Sequence, residues 1–181
     1  MRPLVPLPLA DDHLRLLSLR ASGYTMPRAA ARLGLAINTL YTYASETNRQ
    51  LGVTSPEAAV HVCYLARFLL PRPATAGTTL AFCWEERTLL RLLATGATVA
   101  QTAAALGRCT STISCRIKGL LRRTQCTSRP QLITLGWCLG LLHEAHVQMA
   151  DGARVLLPPA HPTAKTAAPI HRAQALTGRA S

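Results

Sequence analysis

An internal repeat constrains the fold of this chain more than any other feature of its sequence. Sliding the chain by 73 positions aligns residues 9–69 with residues 82–142 without a gap. Apolar residues, helix caps and turn glycines dominate the matches, which include Leu16/Leu89, Gly23/Gly96, Thr25/Thr98, Gly34/Gly107 and Thr54/Thr127. A repeat carried by such positions indicates a repeated fold, so we expect two copies of one structural unit.

The hydrophobic spacing within each copy predicts four helices. Apolar side chains recur at intervals of three, four and seven, and aromatic residues make up only 4% of the chain. Both properties favour helical bundles over a sandwich or a barrel, so the expected fold class is all-α. Asp11 or Asp12 is expected to cap the first helix. The predicted helices cover residues 11–22, 26–33, 37–51 and 55–69, then 84–95, 99–106, 110–124 and 128–147.

The remaining segments are predicted to lie outside the two four-helix units. Three prolines near the start of the chain favour an extended arm, and turn-forming residues separate the units. The last residues are rich in Ala and Pro and carry scattered Arg and Lys, which predicts a disordered basic tail. The expected division is arm 1–8, unit 1 at 9–70, linker 71–81, unit 2 at 82–148, and tail 149–181.

Net charge indicates the class of partner. Lys and Arg number 20 against 8 Asp and Glu, a formal charge of +12, which favours a polyanion, nucleic acid before a membrane surface. No apolar run reaches the roughly 18 residues of a spanning helix, and the first residues do not resemble a secretory signal. The six cysteines form no CxxC pair, so we expect free thiols in a reducing cytoplasm.

Catalysis and cofactor binding find little support in the sequence. No Ser-His-Asp set, carboxylate pair or phosphate loop is visible, so we expect no enzyme activity, no catalytic residue and no cofactor. His143 and His146 share a helical face, but two His without a third ligand are more often solvated, and no metal is expected. Cys115 could be a redox sensor if cationic neighbours lowered its pKa, although an inert small residue is favoured.

Residues 98–123 combine two short helices with the densest positive charge in the chain. The first helix ends at Gly107, and the second begins at Thr110. Apolar residues share one face of the second helix, while hydroxyl and cationic side chains point elsewhere. Small polar groups can approach base edges, and cations can neutralise phosphates. Two helices joined by a glycine turn can also be a plain packing motif, but charge and repetition favour a DNA-reading element.

The ordered residues of both units resemble the LuxR-type, or GerE-like, helix-turn-helix domain of bacterial transcription regulators. The resemblance implies duplex-DNA binding, with the third helix of each unit in the major groove. The units depart from the family pattern at His13, at Pro56 and at residues 124–126. The residues that carry the resemblance are Leu9, Gly23, Thr25, Leu33-Gly34, Thr39-Leu40 and 50–55 in unit 1, and Glu86, Gly96, Thr98, Leu106-Gly107, Thr112-Ile113, Arg123 and Ser128-Arg129 in unit 2.

The resemblance and the charge pattern together define candidate DNA-binding residues. The residues placed on bases by the resemblance are Tyr41, Thr42 and Ser45, and Ser114, Cys115 and Lys118. Residues suited to pair with the DNA backbone are Arg116, Arg122, Arg123 and Arg129. Capping and DNA contact compete as explanations for the residues that open these helices, Asn38, Thr39, Ser111 and Thr112. Unit 2 carries more net positive charge than unit 1, so we expect it to be the better DNA binder.

The fourth helices are more apolar than one small bundle can bury, which predicts an interface. Family members dimerise through this helix, so the resemblance implies that the two units pair as a pseudo-dimer or that two chains form a homodimer. Two glycines at a spacing of four would allow close helix approach, or are merely tolerated. The expected interface residues are Tyr64, Phe68, Trp137, Gly136 and Gly140.

These patterns favour a DNA-binding transcriptional regulator in a bacterial cytoplasm, associated with the nucleoid. We expect it to bind duplex DNA through the third helix of each unit, chiefly the second. The alternative is a degenerate helix-turn-helix module whose apolar fourth helices, or the tyrosine face of unit 1, bind another regulator or RNA polymerase. RNA binding is less favoured because aromatic residues for stacking are few.

Overall fold

A computed structural model describes residues 9–71 and 80–143 of the chain. These residues form eight helices and no strands, so the expected all-α fold class is confirmed for this part of the chain. The predicted arm and tail, and most of the predicted linker, lie outside it. The helices are α1 (Asp11–Ala21), α2 (Met26–Leu33), α3 (Ile37–Leu51), α4 (Pro56–Leu65), α5 (Trp84–Ala94), α6 (Val99–Leu106), α7 (Thr110–Arg123) and α8 (Arg129–Cys138).

The two described ranges, the first half (9–71) and the second half (80–143), have the same helix order. Each helix of the second half begins 73 positions after its counterpart in the first, which is the spacing of the sequence repeat. Buried apolar residues from both halves join one continuous core, and a smaller cluster surrounds Leu16 and Leu40 in the first half. The halves therefore share a core, although each follows the same helical plan.

The helix starts use capping chemistry that the sequence predicts only in part. Thr98 accepts a hydrogen bond from the backbone N–H of Gln101, and the Gln101 side chain accepts one from the N–H of Thr98. The predicted cap of α1 is wrong, because the N-cap residue is Ala10. Asp11 and Asp12 lie in the first turn of α1 instead, where negative charge favours the helix N-terminus.

The fourth helices are shorter than predicted. Helix α4 ends at Leu65 and α8 ends at Cys138, whereas the apolar pattern extended them to residues 69 and 147. A left-handed residue follows each helix and turns the chain, Arg67 with φ 59° and Gly140 with φ 67°. Apolar residues beyond the turns still pack on the core, and Leu142 is only 2% exposed. Hydrophobic spacing does not distinguish this arrangement from a longer helix.

Gln125 adopts a left-handed conformation that glycine adopts in the other half. Its φ is 56°, and its counterpart Gly52 has φ 66°. A Cβ on Gly52 would meet no atom within 4 Å, so the backbone conformation decides the energy there. We expect Gln125→Gly to raise the free energy of unfolding by about 1 kcal/mol because left-handed strain is removed. We expect Gly52→Gln to lower it by a similar amount, and urea unfolding followed by circular dichroism measures both. Shifts of the same sign in the two variants would contradict this explanation.

The two halves meet where α4 packs against α8. Here the Tyr64 hydroxyl donates to the Thr134 hydroxyl at 3.2 Å, and the indole N–H of Trp137 donates to Nδ1 of His61 at 2.9 Å. Thr134 is the counterpart of His61 in the repeat. Trp137 is the counterpart of Tyr64. The position of His61 in one half therefore contacts the position of Tyr64 in the other half, and the same contact occurs a second time with the two halves interchanged. This arrangement indicates an approximate two-fold axis between the halves. We call this contact between the halves the seam.

A second set of contacts across the seam follows the same exchange. Helix α1 packs on α8, and its counterpart α5 packs on α4. The Thr127 hydroxyl donates to the carbonyl of Gly23 at 2.6 Å. The counterparts of this glycine and threonine in the repeat are Gly96 and Thr54, and they also lie close together. A Cβ on Gly96 would lie 3.6 Å from the hydroxyl oxygen of Thr54. The two-fold relation therefore extends beyond the fourth helices.

The remaining predicted interface residues do not lie between the fourth helices. Phe68 packs at the margin of the shared core. Gly136 is buried, but a Cβ there would meet Leu90 at 2.7 Å and Leu142 at 2.9 Å, both in the same half. Gly140 is exposed in the turn after α8. The predicted close approach of the fourth helices at these two glycines is therefore not observed, because Gly136 makes room for its own half and Gly140 ends the helix.

Candidate nucleic-acid interface

Helix α7 presents one exposed row of side chains to solvent. Its inner face is fixed by the burial of Ile113, Ile117 and Leu120, and Ser114 is half-buried at the margin. At helical spacing on the opposite face lie four exposed residues, which we call the α7 stripe: Ser111, Cys115, Lys118 and Arg122. All four were predicted from the sequence as candidate DNA contacts.

Helix α3 exposes the four counterpart positions. Its inner face is fixed by the burial of Leu40, Thr47 and Leu51. The exposed counterparts, which we call the α3 stripe, are Asn38, Thr42, Ser45 and Arg49. Arg49 was not among the contacts predicted from the sequence, although its spacing of four from Ser45 places it on the same helical face.

Apolar residues beside the α3 stripe distinguish this surface from its counterpart on α7. Ile37 is 39% exposed and Tyr41 is 55% exposed. Their counterparts at the start of α7 are the hydroxyl residues Thr110 and Ser114. A groove of about 350 Å³ lies beside Tyr41, with Met26 on its wall. The two surfaces thus occupy the same place in their halves, but one is polar and cationic and the other is partly apolar.

Two glutamates of α5 bind three arginines of the second half. Glu85 accepts hydrogen bonds from Arg116 and, at 3.0 Å, from Arg108. Glu86 accepts one from Arg123 at 2.8 Å. These bonds hold the turn before α7, the middle of α7 and its last residue against α5. Arg116 and Arg123, two of the arginines predicted to contact the DNA backbone, are thus each bound to a carboxylate within their own half.

Arg129 lies at the seam rather than on the surface of α7. Its guanidinium is 4.0 Å from the carboxylate of Glu57, which belongs to the other half and is 8% exposed. Arg20 of the first half also interacts electrostatically with Glu57; burial lowers the pKa of Arg20, and the negative charge opposes that shift. A nearly buried carboxylate of α4 therefore lies between cations from both halves, and one of these cations, Arg129, is the third arginine predicted to contact the DNA backbone.

Lys118 and Arg122 are the cations of α7 that have no carboxylate partner in the described part of the chain. Both are exposed, and they lie about one turn apart on the α7 stripe. An open groove of about 650 Å³ runs beside them toward Gln125 and Thr127. Exposed cations at an open groove suit phosphate oxygens or the acceptor atoms of guanine.

The residues that open α3 and α7 do not cap them. The N-cap residues are Ala36 and Cys109, and neither side chain caps its helix. Four residues had two possible roles, helix capping or DNA contact, and capping does not account for them. They are Asn38, Thr39, Ser111 and Thr112. The last two contact the sulfur of Cys109 through their hydroxyls instead, at 3.2 and 2.9 Å.

Cys109, which was not among the functional residues predicted from the sequence, has a thiol with a lowered pKa. Hydrogen bonds, first from the Ser111 hydroxyl and then from Thr112, lower the pKa of Cys109 to about 7. We expect iodoacetamide to alkylate Cys109 with a midpoint near pH 7, against about 8.5 for an ordinary thiol. Cys115→Ser leaves Cys109 as the sole thiol of the tryptic peptide 109–116, which mass spectrometry can follow. An unchanged midpoint in Ser111→Ala/Thr112→Val would contradict the stated cause.

The glutamates of α5 are expected to make stability depend on acidic pH. Hydrogen bonds from Arg116 and then Arg108 lower the pKa of Glu85. Burial opposes the shift at Glu86, but the bond from Arg123 lowers its pKa overall. A carboxylate whose pKa is lower in the folded than in the unfolded state stabilises the fold at pH values above its unfolded pKa of about 4.3. This stabilisation is lost as the pH falls through the pKa of the folded state.

We expect Glu85→Gln/Glu86→Gln to lose less Tm than the wild type between about pH 5 and pH 3. Differential scanning calorimetry measures this, with the exposed Asp12→Asn as the control. Parallel Tm curves for the wild type and the double variant would contradict the role assigned to these ion pairs.

No group of three or more His, Cys, Asp or Glu residues is placed to bind a metal ion in residues 9–71 and 80–143. Of the histidine pair singled out by the sequence, His146 lies outside these ranges. Within the same ranges, no helix has the length and apolarity needed to cross a bilayer. No protein-family model, curated protein or solved structure matches the chain.

Proposed function

We propose that this protein is a DNA-binding transcriptional regulator in which α3 and α7 act as the reading helices of two LuxR-type helix-turn-helix units. The α7 stripe carries the proposal, because Lys118 and Arg122 are exposed while the other arginines of α7 are bound to α5. The formal charge of +12 supports a polyanionic partner. We propose no enzymatic activity and no cofactor, and a place in the bacterial cytoplasm at the nucleoid.

The ion pairs with α5 would let α7 enter a duplex groove as a rigid element. At 14 residues, α7 is about 21 Å long, and the major groove is about 12 Å wide. Ser111 and Cys115 are short, so the start of the helix can approach base edges closely. Lys118 then reaches the base edges in the middle of the contact, and Arg122 reaches a phosphate near its end.

A salt titration with duplex DNA tests this proposal. A fluorescein-labelled duplex of random sequence is titrated with the full chain, and anisotropy is recorded between about 0.05 and 0.2 M salt. Because each neutralised phosphate releases counterions, we expect log affinity to fall linearly with log salt with a slope steeper than about −2. Absence of binding at the lowest salt would refute the proposal. A peptide of equal net charge from an unrelated protein is the control for nonspecific attraction.

The apolar surface beside the α3 stripe favours protein binding as a second candidate function. Tyr41 is more than half exposed beside an apolar groove, whereas the fourth helices, the other surface considered for a partner, pack against each other. In this case another regulator or RNA polymerase would occupy the groove. Tyr41→Ser would then abolish retention of purified RNA polymerase and leave DNA affinity unchanged. Loss of DNA affinity alone would exclude this candidate.

A further inference from the structure

We infer that a single chain binds an inverted pair of unequal DNA half-sites, one weighted toward A·T pairs and contacted by α3, the other containing a guanine contacted by α7. This inference rests on the proposed function and names the class of duplex that the two stripes would recognise. Three observations carry it: the two-fold relation at the seam, the position of the α3 stripe beside the start of α4, and the different chemistry of the two stripes.

The two-fold relation at the seam determines the relative direction of the two reading surfaces. Contacts at the seam are exchanged between the halves, as His61 with Trp137 and Tyr64 with Thr134 show. The stripes occupy counterpart positions, so the same approximate two-fold axis relates them. Duplex DNA has two-fold axes perpendicular to its length, and readers related by such an axis meet their sequences in inverted orientation.

The α3 stripe lies close to the axis of the seam, and we infer the same position for the α7 stripe. Glu57 in the first turn of α4 is 4.0 Å from Arg129 in the first turn of α8, so the starts of these helices meet at the seam. Pro56 and Ser45 line one groove, which brings the α3 stripe next to this meeting point. Because the approximate two-fold axis relates the two halves, we infer that the α7 stripe lies in the equivalent position on the other side of the axis. One chain therefore carries two reading surfaces that flank its own axis.

The chemistry of the α7 stripe favours guanine. Lys118 has three donors and no acceptor, which matches the adjacent O6 and N7 acceptors of guanine. Ser111 can donate or accept, so it adds little discrimination. Arg122 lies one turn further along the stripe and is placed to contact a phosphate. The half-site under α7 is therefore expected to depend on one guanine.

The chemistry of the α3 stripe favours A·T pairs. The counterpart of Lys118 is Ser45, so the middle of the α3 stripe has no cation. Asn38 offers a donor and an acceptor, the pattern that matches N7 and N6 of adenine. Ile37 and Tyr41 offer exposed apolar surface to the methyl group of thymine. The half-site under α3 is therefore expected to be weighted toward A·T pairs.

In vitro selection from a randomised duplex library of about three helical turns tests the inference. We expect the selected sequences to contain two elements in inverted orientation, one A·T-weighted and one with an invariant guanine. Sedimentation should give one chain per duplex. Lys118→Ala should reduce the preference for that guanine about 10-fold and leave the A·T element unchanged. Asn38→Ala should weaken the preference for A·T pairs and leave the guanine unchanged.

Other outcomes of the selection overturn the inference. Two identical elements bound by two chains would show that each chain supplies one reader. A single element, or elements in direct orientation, would show that the axis at the seam does not coincide with an axis of the DNA. Selection of bound DNA that lacks two unequal elements in inverted orientation contradicts this inference alone. Failure to retain any duplex contradicts the proposed function as well.

Discussion

Replacement of Lys118 and Arg122 together by alanine is expected to weaken duplex-DNA binding about 100-fold at about 0.1 M salt. Each side chain is exposed and has no carboxylate partner in the described part of the chain, so each can exchange counterions for a phosphate or base contact. Two such contacts at roughly 1–2 kcal/mol each account for the loss. The salt slope should also become shallower by about 1 to 2. Anisotropy titrations of the wild type and the variant measure both quantities.

Two controls separate the position of these charges from their number. Arg15→Ala/Arg32→Ala removes the same charge from exposed positions on α1 and α2, and we expect less than about a threefold loss. Ser45→Ala/Arg49→Ala changes the counterpart positions on α3 and should cost about tenfold, because one cation is lost there. A loss in Arg15→Ala/Arg32→Ala equal to that in Lys118→Ala/Arg122→Ala would show that net charge alone drives binding.

Trp137→Ala is expected to lower the free energy of unfolding by about 3 kcal/mol. The indole packs 5.5 Å from the ring of His61 and 5.6 Å from the ring of Tyr64. Its removal leaves a gap in the seam and takes the hydrogen-bond donor from Nδ1 of His61, a residue only 1% exposed. Because both halves share one core, we expect a single urea transition in the wild type and in the variant.

Trp84 provides a matched control for this measurement. Its side chain is 53% exposed, so Trp84→Ala should cost less than about 1 kcal/mol. The chain contains only two tryptophans, so Trp84→Phe leaves Trp137 as the sole fluorescent reporter of the seam. Equal destabilisation by the two alanine substitutions, or two separate transitions in the wild type, would contradict the shared core.

The positions of the helices could be predicted because apolar spacing and turn residues encode them locally. Burial of Ile113, Ile117 and Leu120 follows directly from their spacing, and it orients the α7 stripe outward. The ends of α4 and α8 could not be predicted in this way, because apolar residues continue past both helices onto the core. Local patterns describe which residues are buried but not the path by which the chain brings them there.

The partners of the arginines could not be predicted from the sequence. Arg116, Lys118 and Arg122 all lie outside the buried row of one helix and appear equivalent there. The structure separates them, because Glu85 lies 31 positions before Arg116 and binds it. Similarly, Arg129 meets a carboxylate in the other half of the chain. Such pairings depend on how helices pack, which sequence spacing does not specify.

The seam also determines how the two halves can change and assemble. In a dimer of identical subunits, every substitution appears on both sides of the axis at once. Here each side of the axis is encoded by its own codons. The counterparts His61 and Thr134 can therefore be different residues, and so can Tyr64 and Trp137. Mutation can therefore refine one side without altering the other. Dilution cannot part halves that belong to one polypeptide, so a cell with very few copies of the chain retains every pair intact.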